Sequence, residues 1–148
     1  MAQQQIEPNS KRWQELTARF NGAPYAQELG MKVVGLDHGY AKVALPMRPA
    51  FNNWTGRAHG GLIMTLADHA FSCATNTLDG LYLAVQFNTN FIATPAVDGT
   101  VFAEARVVHS GRTLAVGEIV VYDSTERVIA RATGTVVAYN EQERSAGK

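Results

Sequence analysis

Asp68 stands in a run, Leu62-Ile63-Met64-Thr65-Leu66-Ala67-Asp68-His69-Ala70-Phe71-Ser72-Cys73-Ala74, that is otherwise almost wholly apolar. A carboxylate in such a setting loses much hydration unless it is paired or faces a cleft, which makes it a candidate for acid–base or nucleophilic work. The other reading is a structural acid that caps a neighbouring loop or pairs with an arginine such as Arg57 or Arg112. Just ahead of the run comes Asn53-Trp54-Thr55-Gly56-Arg57-Ala58-His59-Gly60-Gly61. It ends where a helix begins, so its last backbone N–H groups have no intrahelical acceptor. Glycines there let another molecule approach the backbone closely. Together with the helix macrodipole, this favours an oxyanion developing on a carbonyl. More plainly, Gly60 and Gly61 let two elements pack or turn.

Spacing adds a constraint. Gly60 and Asp68 are eight residues apart, roughly 12 Å along one helix at about 1.5 Å per residue. An oxyanion donor and an attacking group must each come within roughly 3 Å of the same carbonyl. One helix does not supply both, so joint action requires Gly60 from one subunit and Asp68 from another, in a two-fold dimer with two composite sites. His59 either orients a substrate carbonyl or satisfies loop backbone. His69 projects about 100° away from Asp68 around the helix, so the two are no ready dyad. Neither His38 nor His109 joins a spacing that holds a metal. Cys73 reads as a small core hydrophobe. No G-x-S-x-G elbow, phosphate-binding loop or dinucleotide fingerprint is present.

The elements that must position these groups are legible in the periodicity. Trp13, Leu16, Thr17 and Phe20 recur at helical spacing behind Asn9-Ser10, which predicts an amphipathic helix over 11–21, ended by Gly22 and Pro24. Residues 31–36 and 40–45 read as a hairpin. The run from 62 to 74 leaves only a narrow polar strip and predicts a buried helix. Strands follow over 81–92, 99–109, 113–123 and 127–139. Within 101–107, Val101, Ala103, Ala105 and Val107 share one face, and Phe102, Glu104 and Arg106 the other. One buried helix and about six antiparallel strands make an α+β domain in which a curved sheet wraps the helix.

At 148 residues, 46% apolar and 18% charged, the chain has the size and make-up of one domain with a real core. Thirteen basic and thirteen acidic residues leave no net charge, which argues against a nucleic-acid partner. The start shows no secretory pattern, and no run of 18 apolar residues suggests a membrane span. The single cysteine rules out an internal disulfide. These features point to the cytoplasm. Residues 1–10 and 141–148 are expected to be flexible.

Asn53-x-x-Gly56-x-x-His59-Gly60-Gly61, followed by Leu66-Ala67-Asp68-x-Ala70 and Asn76, resembles the hotdog-fold acyl-CoA thioesterases, in particular the phenylacetate-degradation (PaaI-like) branch. The likeness spans about residues 24–140 and includes the Ser110-Gly111-Arg112-Thr113 turn; the first helix is an addition to it. It implies a thioester hydrolase working without metal or cofactor, with Asp68 as base or nucleophile and the Gly60 N–H polarising the carbonyl. It places Asn53 and His59 in the catalytic set. Gly61, Asn88, Asn90, Gly111, Arg112 and Thr113 are the implied substrate and coenzyme A contacts. Homodimers pairing into homotetramers are implied too, with coenzyme A along a subunit interface. The acyl group is expected to be aromatic or of medium chain length.

Two departures stand out. Many relatives end the strand after the helix with aromatic-Leu-Arg-Pro, whereas Phe91-Ile92-Ala93-Thr94-Pro95 lacks the arginine and is one residue longer. Some carry Ser or Thr where Ala84 aligns; Gln86, Asn88 and Asn90 alternate to the same side as Ala84 and offer substitutes. Trp54, Phe71, Phe87 and Phe91 either line an aryl-accepting pocket or belong to the plain core. The rival functions are a hotdog hydratase or dehydratase using His59 with Asp68, and a non-catalytic acyl-CoA binding protein.

Overall fold

In the computed structural model, which describes residues 6–139, α1 spans Lys11–Asn21, and the Trp13 N–H donates to Ser10 Oγ at 3.2 Å as an N-cap. Trp13, Leu16 and Phe20 turn toward the core. Gly22 ends this helix, but Pro24 opens another. Helix α2, Pro24–Leu29, carries proline in its first turn, where a preset φ and a missing N–H cost little, and stops at Gly30 with φ 79°. The periodicity predicts that helical structure ends at Gly22 and Pro24; α2 corrects this, because Pro24 starts a second helix. Ile6 is buried, and its N–H donates to Asp37 Oδ1 at 2.9 Å. The stretches 1–5 and 140–148, with most of the ends expected to be flexible, lie outside the described residues.

Strands β1 (Lys32–Asp37) and β2 (Tyr40–Pro46) form the expected hairpin, closed by His38 and Gly39. Helix α3 (Gly60–Thr75) begins two residues earlier than its apolar run, with both glycines in its first turn. It is followed by β3 (Leu81–Phe91), β4 (Thr100–Ser110), β5 (Leu114–Asp123) and β6 (Val128–Tyr139). All neighbours are antiparallel, in the order β1-β2-β4-β5-β6-β3. The strand that leaves α3 therefore crosses to the far side and pairs with β6, which makes β3 an edge strand. No helix among the described residues is long and apolar enough to cross a membrane.

The fold is α+β: the sheet curves around α3, which buries Leu66, Ala67, Ala70 and Phe71 against the inward face. On β4 the alternation holds, with Val101, Ala103 and Ala105 inward and Glu104 and Arg106 outward. Two strand glycines are explained by packing. Gly117 and Gly134 are direct partners on β5 and β6, and the Phe71 ring lies on both. A Cβ on Gly117 would stand 2.5 Å from Phe71 Cε2, and one on Gly134 would collide with the other side of the ring. The pair forms a socket into which the largest side chain of α3 descends.

Candidate active site

The loop ahead of α3 is built on Asn53. Its Oδ1 accepts from the Thr55 N–H at 2.9 Å, the Thr55 hydroxyl at 2.6 Å and the Arg57 N–H at 3.3 Å. Gly56 takes φ 75°, which favours glycine. Asn52 and Ala58 form an isolated bridge that pinches the base. The Asn53 oxygen is thus committed to its own loop. At the tip stands Trp54, 97% exposed. The core does not hold it, which corrects the core reading of this residue.

His59 is the N-cap of α3: its Nδ1 accepts the Gly61 N–H at 2.9 Å. A ring nitrogen that accepts carries no proton, so the neutral ring keeps its proton on Nε2 as a donor. The His59 carbonyl takes the Leu62 N–H at 3.0 Å. No described acceptor takes the Gly60 N–H, which remains the open donor at this helix start. The Phe91 ring rests against Gly60, close enough that a Cβ there would meet Cζ at 3.3 Å.

Asp68 lies two turns on. The polar strip of α3 is not covered within the protomer: Gly61, Met64, Asp68 and Ser72 face outward along one side. Among the described residues Asp68 has no ion pair or hydrogen bond, so within one protomer it neither caps a loop nor pairs with Arg57 or Arg112. Partial burial alone raises its carboxyl above the ordinary range. His69 is half-buried and held toward its neutral form by lost hydration; its Nε2 lies 3.8 Å from Cys73 Sγ.

Beside Asp68 opens a cavity of about 180 Å³ between α3 and β3, walled by Phe71, Ser72, Tyr82, Ala84 and Val136. Ser72, one turn beyond Asp68 on the same face, escaped the sequence reading although its i+4 spacing marked it. Asn76 caps the end of α3 and ties the helix to the edge strand. Its Nδ2 donates to the Ser72 carbonyl at 2.9 Å and the Tyr82 carbonyl at 3.3 Å, and its Oδ1 accepts the Tyr82 N–H at 3.1 Å.

Strand β3 departs from simple alternation. Its register with β6 shifts between Ala84 and Gln86, a bulge at Val85. Ala84 pairs with buried Val136 and faces the helix. Beyond the bulge, Phe87 pairs with Gly134 and faces inward, whereas Gln86, Asn88 and Asn90 oppose Thr135, Thr133 and Arg131 on the outer side. The expected polar face shared with Ala84 is therefore split, because one extra residue reverses every later side chain. Gln86, Asn88 and Asn90 do not stand in for a hydroxyl at Ala84. Phe71 and Phe87 are core, with ring centroids 6.1 Å apart, although Phe71 also walls the cavity.

Arg112 and its neighbours Gly111 and Thr113 form the exposed β4–β5 turn, closed by the Gly111 N–H donating to the Leu114 carbonyl at 2.9 Å. Leu114 pairs with Val137, near the Leu81 end of β3, whereas Gly60 touches Phe91 at the opposite end. Roughly 30 Å of strand separates the two. One protomer therefore does not bring the 111–113 turn to Gly60.

The sequence pattern of the Thioesterase superfamily matches residues 55–130. A Deinococcus radiodurans protein is 36% identical over 119 residues, covering 80% of this chain and 81% of that one. The acyl-coenzyme A thioesterase PaaI of Escherichia coli is 27% identical over 124 residues, 84% of this chain and 89% of its own. The structure of the Escherichia coli PaaI protein superposes with a TM-score of 0.83, covering 87% of this chain and 94% of that one. A Streptococcus mutans protein with acetyl-CoA bound matches at TM-score 0.71 and 25% identity, over 74% of this chain and 89% of its own.

Proposed function

This chain belongs to the thioesterase superfamily, in its PaaI-like hotdog branch of thioester hydrolases, and from that premise we propose that it cleaves an acyl-coenzyme A with an aromatic, phenylacetyl-like or medium-chain acyl group. The observation that carries this reading is Asp68: an acid with no partner among the described residues, beside a cavity of about 180 Å³. An apolar cavity of about 150 Å³ is enough for benzene.

In the reaction, water adds to the thioester carbonyl, the C–S bond breaks, and the acid and the free thiol of coenzyme A leave. Asp68 removes the proton from the attacking water or itself attacks the carbonyl; both routes need its ionised form. The Gly60 N–H receives the oxyanion, in a field strengthened by the start of α3. The Nε2–H of His59 is a second donor there, and Asn53 holds the loop that presents them.

Because Gly60 and Asp68 are about 12 Å apart on one helix, the site is composite, and the protein works as a dimer that pairs into a tetramer. The open strip of α3 supports this, as does the free edge of β3, where Leu83 and Val85 are exposed. In such a dimer the 111–113 turn of one subunit comes toward the Gly60 end of the other, and Gly61, Arg112 and Thr113 line the coenzyme path. Asn88 and Asn90 touch coenzyme only along the outer side of β3.

A thiol-release screen over aryl and aliphatic coenzyme A thioesters tests the reading. Thiol appears with arylacetyl or medium-chain substrates and is lost in Asp68→Asn. Full turnover in that variant, or no thiol with any substrate, overturns it.

A further inference from the structure

We propose that Trp54 of one protomer closes the cavity beside Asp68 of the other and thereby sets the size of acyl group accepted; this rests on the composite dimer above. A two-fold axis parallel to the helices would set Gly60 level with Gly60 and leave it one helix-length step from Asp68. Only antiparallel helices bring each Gly60 to the other subunit's Asp68. The axis then passes halfway between them, at Met64, which lies on the open strip and is 38% exposed.

That register dictates what lies beyond. The opposing helix starts at Gly60, level with Asp68, and the 53–57 loop is joined to that start through Ala58 and His59, so the loop arrives beside Asp68 and the cavity next to it. This loop is rigid: three hydrogen bonds converge on Asn53 Oδ1, and a bridge closes its base. It carries one large apolar group, Trp54, which finds nothing to touch in its own subunit. The cavity is walled by residues of α3, β3 and β6 and is not closed within the protomer. An indole held out on a rigid loop supplies a large contact surface at little cost in side-chain entropy.

The test uses the full-length protein. Trp54→Ala should lower kcat/KM for phenylacetyl-CoA about ten-fold or more while changing acetyl-CoA by less than about two-fold, and Trp54→Phe should recover most of the loss. Truncation removes no core contact, so the variant folds. An equal loss on both substrates, or none on either, overturns the role of Trp54. Met64→Cys, treated with a short thiol crosslinker, reports the shared register separately; the native Cys73 is 1% exposed and silent. Failure to form a covalent dimer overturns the composite site itself, whereas crosslinking with flat acyl selectivity overturns Trp54 alone.

Discussion

The His59 imidazole Nδ1 accepts the Gly61 N–H at 2.9 Å, so the side chain just outside α3 satisfies one donor of the helix start and leaves the Gly60 N–H beside it open. His59→Ala should cost about 1 kcal/mol as a lost cap and reduce turnover. His59→Asn restores the acceptor but lacks the Nε2–H donor. Denaturant unfolding together with kcat should show stability recovered and activity still low. Recovery of both would reduce His59 to a cap.

Asp68→Asn should lower kcat by about 10³-fold, within the range of a lost general base or nucleophile. Burial raises the folded carboxyl, so the acid limb of kcat/KM should lie above the titration of a free aspartate. The folded state favours the protonated form, so the penalty is absent at low pH and develops as pH rises from the unfolded to the raised folded value. Asp68→Asn should therefore melt above wild type at neutral pH. A lower melting temperature at pH 7 would contradict this.

Ala84 lines the cavity on the β3 side. Ala84→Phe fills the space a ring needs and should reduce phenylacetyl-CoA hydrolysis by about 10²-fold while sparing acetyl-CoA. Competition between the two substrates reads this directly. An unchanged preference would place the acyl group elsewhere.

Gly134→Ala forces a methyl into the Phe71 ring and should destabilise the fold by about 1–3 kcal/mol. In the Phe71→Leu background the added cost should shrink, because the clashing atoms are gone. A double-mutant cycle by urea unfolding measures that coupling; strictly additive effects would dismiss the socket.

Cys73 is buried, and the loss of hydration pushes its thiol up to about 12. Iodoacetamide should leave the native protein active and unmodified while labelling the urea-unfolded chain, as mass spectrometry would show.

Much of this was legible in residue order. The N-cap at Ser10, the hairpin, the four later strands, the central helix and the isolated acid at Asp68 all follow from periodicity and from the cost of burying charge, which are local properties of neighbouring residues. Residue order did not show the second helix, because Pro24 stops one helix and starts another with the same fixed φ. It did not show the Val85 bulge, because an extra residue in one strand is defined only against its partner, and that partner lies some fifty positions later. The glycine socket under Phe71 was hidden for the same reason: Gly117 and Gly134 read as weak strand residues until β5 and β6 are paired and α3 is laid across them. Even the separation of Asp68 from Gly60, readable as helix rise, acquired a cavity and an opposing loop only once the chain was folded. Local rules settle which elements form and which side chains are costly. Pairing over long sequence distance settles which faces those side chains share, since one residue of register turns a whole strand over.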